Sequence, residues 1–88
     1  MNFIKLTLLD YDEDDFFDFN GEALVRISDI KMVEEIVDPD PLSESAKEYL
    51  KKHDISDSNF APSEITLDSG KNIIVAESLK RIEPLINK

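Results

Sequence analysis

Apolar and polar residues alternate from the start of the chain, where Ile4, Leu6 and Leu8 are separated by Lys5 and Thr7. A period of two belongs to a strand buried on one side, so residues 3–9 are expected to form a strand with these three side chains inward. Strand character resumes at residues 23–27, where Leu24, Val25 and Ile27 flank Arg26. Ser28-Asp29 offers side-chain acceptors for a turn. Ile30 and Val33 then lie three apart, which either a helical turn or a bent strand would bury, and a short strand is expected through residues 34–37.

The pattern changes after Asp38-Pro39-Asp40-Pro41. Leu42, Ala46, Tyr49 and Leu50 fall at i, i+4, i+7 and i+8, one face of a helix over residues 41–53. Asp40 is placed to cap its free amides, and Pro41 suits the first helical position. Residues 54–63 read as a loop. Residues 64–67 and 71–75, joined by Asp68-Ser69-Gly70, make the clearest hairpin, with Gly70 supplying the positive φ. Glu77-Ser78 precedes Leu79, Ile82, Leu85 and Ile86, a helical stripe that Pro84 is expected to kink or split. The sum is one α+β domain over residues 1–88. It has a small antiparallel sheet of about four to five strands, a short helix within an insertion at residues 38–62, and a C-terminal helix.

Charge alters the reading of one segment. The formal net charge is −10, yet seven acidic residues and no basic one lie between Asp10 and Glu22, leaving thirteen acids against ten bases elsewhere. Phe16, Phe17 and Phe19 sit in the same stretch, so at least two rings are expected on the core edge while the carboxylates stay in water. With Asn20-Gly21 as a turn signal, residues 10–22 read as a wide hairpin connection. The three Phe are the candidate interaction residues.

Asp10, Asp12, Asp14 and Asp18 occupy the first, third, fifth and ninth positions of a would-be calcium loop. Asp15 stands where that loop needs Gly, and Gly21 where it needs Glu, so these four are weak metal candidates and no metal is assigned.

Other chemistry is sparse. Gly21 and Gly70 are the only glycines, which excludes a glycine-rich phosphate loop, and no Cys is present to form a disulfide or thiolate site. His53 is the only histidine and falls where a helix C-terminus would use it. No enzyme activity and no cofactor are expected. Direct nucleic-acid binding is disfavoured, because phosphate contacts need clustered Lys and Arg. No stretch approaches the roughly 18 apolar residues of a membrane span, and a cytoplasmic location is expected. The expected function is a non-catalytic adaptor that binds a protein partner or itself, with a dimer allowed. The alternative is an acidic protein that occupies the basic site of a nucleic-acid-binding partner.

The order of several motifs resembles the flagellar FlbD-type (SwrD) small proteins over about half the chain. The residues that carry it are Ile4-Lys5-Leu6-Thr7, then Ile30, Val33 and Glu34, then Ile65-Thr66-Leu67, Gly70-Lys71 and Val75-Ala76-Glu77-Ser78. The acidic first turn and the insertion at residues 38–62 depart from that pattern, so the resemblance implies a fold more than a flagellar role. A weaker likeness, to the last strand and helix of the DNA-binding LytTR domain, lacks that domain's basic loops.

Overall fold

The computed structural model describes residues 2–52 and 60–86. Its elements are β1 (Phe3–Tyr11), β2 (Phe17–Arg26), a 3-10 turn (Ile27–Asp29), β3 (Ile30–Glu35), α1 (Glu44–Lys52), β4 (Ser63–Leu67), β5 (Asn72–Val75) and α2 (Leu79–Ile86). The strands form one antiparallel sheet in the order β2-β1-β5-β4-β3. This is the expected α+β architecture, with a short helix between strands and a second helix at the C-terminal end.

The two outermost strands are consecutive in sequence, and that forces curvature. In a flat sheet β2 and β3 would stand about 19 Å apart. Three residues of 3-10 turn advance only about 6 Å, so the sheet must roll to bring them together. The core agrees. Ile4, Leu6, Val25, Ile65 and Val75 are buried in one cluster with Ile82 of α2, and Ile30 and Val33 of β3 pack against it. Side chains from all five strands therefore meet on the concave face.

Two bulges set which residues reach that face. Ile30 pairs with Leu67 but Met32 pairs with Thr66, so Lys31 is an extra residue. The extra residue resets the alternation and turns both Ile30 and Val33 inward, resolving their spacing as a bent strand. In β2, Thr7 pairs with Glu22 while Leu9 pairs with Phe19, which places the second bulge at Asn20-Gly21. Gly21 has a φ of 86°, a conformation that glycine adopts without steric cost.

That bulge corrects the reading of residues 10–22. Asn20-Gly21 is a kink inside β2, and the turn itself is short, spanning 12–16. Asp12 closes it by accepting the amides of Asp14 and Phe16 through Oδ1, at 2.9 Å each. Most of the acidic stretch is therefore strand, because Phe17 and Phe19 gain a buried face by extending the ladder.

A second cluster lies on the convex face. Leu9 and Phe17 meet Leu42, Ala46 and Leu50 of α1 and its approach, with Phe60 and Ile74 alongside. The chain before α1 stays extended: Phe17 N–H donates to Pro41 O, and Ser43 N–H donates to Phe17 O. This strip pairs in parallel with β2 at Phe17 and Leu42. Residues 41–43 thus spend their backbone groups on the sheet, and the helix starts later than its apolar spacing implied. Ser43, not Asp40, is the cap, its Oγ accepting the Ala46 amide at 3.1 Å. Asp40 instead lies near the Tyr11 hydroxyl, where its carboxylate helps to hold the phenol proton.

At the other end, Ser78 Oγ accepts the Arg81 amide and caps α2. Of the kink or split expected at Pro84, the split does not occur, and the helix is continuous through it. Pro84 lies in the last three residues, so the amide it removes costs a single bond near an end that frays in any case. Among the described residues, no helix is long and apolar enough to cross a membrane.

Candidate functional site

The residues singled out in the acidic segment have divided roles. Phe17 is 1% exposed, stacked on Tyr11 at 4.9 Å and edge-on to Phe60 at 6.4 Å. Phe19 is half-buried against Tyr49 at 4.1 Å. Phe16 alone projects from the turn, 39% exposed. Of the carboxylates, Asp10 accepts its neighbour's amide, and Asp18 accepts the amide of Phe19 and the hydroxyl of Ser43. Asp12 is committed to the turn. Asp14 shares that turn through its own amide. Among the described residues, no three His, Cys, Asp or Glu side chains are grouped to hold a metal ion. His53 lies outside the described residues.

Between the convex face of β1, helix α1 and the start of α2 runs an open groove of about 640 Å³, lined by Thr7, Phe19, Tyr49, Phe60, Glu77 and Arg81 among others. Its polar groups hold the fold together. Both Glu77 carboxylate oxygens accept from Thr7, one from the amide at 2.8 Å and one from the hydroxyl at 2.9 Å. Ser63 Oγ donates to Glu77 O, and Ala76 N–H donates to Thr7 O. These bonds take over the β1 edge where β5 ends, so Thr7 and Glu77, both within the resembling motifs, tie α2 to the sheet. Lys5 pairs with Glu22 at 3.4 Å on the exposed surface.

The free backbone lies on the far side of β2. Ile27 N–H donates to Asn2 O, and the register pairs Phe3 with Arg26. Antiparallel strands alternate hydrogen-bonded and non-bonded pairs, so Ala23 and Val25 bond to β1 while Glu22, Leu24 and Arg26 turn their N–H and C=O outward. Among the described residues nothing takes these groups except the Arg26 C=O, which accepts the first bond of the 3-10 turn. Nearer the turn the same edge is sealed, at Phe17 by Pro41 and Ser43 and at Phe19 by Asp18.

The side chains of this open stretch lie on the convex face. Leu24 is 70% exposed. Glu22 and Arg26 flank it, Arg26 lying over the Phe3 ring at 5.7 Å. Of the strand expected over residues 23–27, residues 23–26 lie in β2 and Ile27 opens the 3-10 turn, and the exposed edge was missed. The alternation gives which side chains face out and is silent on which strands end the sheet.

Comparison with protein-family models, with curated proteins and with solved structures gives no match.

Proposed function

We propose that the chain is a non-catalytic protein-interaction domain, an adaptor that accepts an extended strand on the open half of β2. The observation that carries this reading is the run from Glu22 to Arg26, where the outward amides of Glu22, Leu24 and Arg26 and the carbonyls of Glu22 and Leu24 have no partner among the described residues, and where the central Leu24 is 70% exposed. Strand addition draws affinity from such groups and specificity from the alternate side chains beside them. Among the titratable side chains around the groove, Glu77 is held by Thr7 and Lys5 pairs with Glu22, which fits a binding role better than acid–base chemistry.

A nuclease-treated pull-down from the native cell tests it, with the wild type and Leu24→Lys as bait and washes at low and high salt. A partner kept at high salt by the wild type and lost by the variant supports the reading. Equal retention by both baits removes the β2 edge as its site.

A second reading rests on the turn, where Asp10, Glu13, Asp14 and Asp15 are all exposed at one end of the molecule. It makes the chain an acidic occupant of a nucleic-acid-binding partner's basic site. Its partner is lost at high salt and unaffected by Leu24→Lys.

A further inference from the structure

The open stretch of β2 reads Glu22-Ala23-Leu24-Val25-Arg26. It is bounded by the Asn20-Gly21 bulge on one side and by the 3-10 turn from Ile27 on the other. Both boundaries bend the backbone, so these five residues are the part of the edge straight enough to pair. Their charges are antisymmetric about Leu24, acidic at Glu22 and basic at Arg26.

We propose that the strand received at this edge is the same strand of a second copy, paired antiparallel about a two-fold axis at Leu24; this rests on the adaptor reading and names its partner. The register follows from the residues whose backbones face outward. With Leu24 opposite Leu24, Glu22 falls opposite Arg26 of the other copy, and all three positions belong to the outward set. About four backbone hydrogen bonds then join the copies through free groups, since the Arg26 C=O of each copy already belongs to its 3-10 turn. Ala23 and Val25 face each other on the concave side.

Charge selects this register. On the convex face each cross-strand row is complementary: the exposed Leu24 side chains meet in the middle, and Glu22 meets Arg26 on both sides of them. Opposite charges directly across a ladder stabilise it and like charges oppose it. Shifting the pairing by one residue would bring inward-facing side chains onto the convex face and turn bonded amides outward. The two five-strand sheets thereby become one continuous sheet, an isologous arrangement that uses up both β2 edges and leaves only the guarded β3 strands outermost. Five paired residues span only about 17 Å, so the dimer belongs to the small, weak class of interfaces.

The test is sedimentation of the whole chain over a wide concentration range, with circular dichroism and thermal melts checking that each variant folds. Residues 22, 24 and 26 are exposed, so their substitution leaves the core intact. The wild type is expected to pass from monomer to dimer with rising concentration. Leu24→Lys raises the dissociation constant at least about tenfold, since it sets two ammonium groups against each other. Glu22→Arg and Arg26→Glu each weaken self-association, one facing Arg with Arg and the other Glu with Glu. An equimolar mixture of those two variants restores association, because each then meets its opposite charge across the ladder.

A folded wild type that stays monomeric throughout overturns the proposal, as does a dimer indifferent to Leu24→Lys or a mixture that fails to associate. A monomeric wild type whose captured partner is still lost on Leu24→Lys removes the dimer and leaves the adaptor reading standing. Loss of both dependences removes both.

Discussion

The two edges of this sheet are treated differently. β3 is guarded along its short length: a bulge at Lys31 distorts its start, and Glu34 and Glu35 stand exposed near its end. Bulges and edge charges are the usual devices against unwanted pairing. β2 is sealed over one half by Pro41, Ser43 and Asp18, and over the other half it presents an ordinary strand with Leu24 in the open. One edge is thus guarded and half of the next sealed, and the remaining half is the stretch on which the proposed pairing rests.

The sealed half depends on Phe17, and its removal gives the largest effect. Phe17→Ala is expected to cost about 3–5 kcal/mol, since it empties the convex cluster and frees the strip before α1. Phe16→Ala, one residue away on the exposed turn, is expected to stay within about 0.5 kcal/mol. Urea unfolding of both variants decides it. Similar losses would mean that the two rings are not divided between core and surface. Next is the boundary. Gly21→Val places a branched residue at a φ of 86°, at a cost of about 1–3 kcal/mol by the same measurement. An added Cβ meets nothing within 4 Å there, so the whole effect is backbone strain. A neutral result would show that the bulge relaxes.

These substitutions also mark what the sequence made legible. The concave core was readable because Ile4, Leu6, Val25, Ile65 and Val75 obey strand alternation and need no knowledge of distant pairing. The hairpin around Gly70 was readable for the same local reason. The convex cluster was not, since the pairing of Phe17 with Leu42 joins residues twenty-five positions apart and consumes the residues that looked like the first turn of α1. The acidic run concealed a strand because charge dominates its composition, while its Phe spacing carries the structure. At the candidate site, Leu24 belonged to an expected strand, yet nothing local identifies that strand as an edge.

The cap of α1 tests that long-range pairing on a smaller scale. Ser43→Ala removes the acceptor for the Ala46 amide and is expected to cost about 1 kcal/mol. Asp40→Ala leaves the cap in place, so helix content by circular dichroism should not change. The reverse order would return capping to Asp40 and dissolve the strip that seals β2.

The smallest effect concerns Tyr11. Its hydroxyl titrates above the ordinary phenol value of about 10, raised by desolvation first and then by the hydrogen bond to Asp40 and the negative charges of Asp40, Asp15 and Glu64. The fold thus holds this proton more tightly than the unfolded chain does. Its stabilising contribution is complete below the unfolded value and is lost as pH rises through the higher folded one. Ultraviolet titration of a Tyr49→Phe variant isolates Tyr11. A midpoint at or below the unfolded value would contradict the Asp40 contact.

Amide hydrogen exchange, followed by residue at rising protein concentration, tests the difference between the edges most directly. The outward amides of Glu22, Leu24 and Arg26 are predicted to gain protection with concentration. Those of Val33 and Glu35, outward on β3 because Ile36 N–H donates to Pro62 O, are predicted to stay unchanged. Rapid exchange at both edges at every concentration, or protection that grows on β3 instead, would contradict the account.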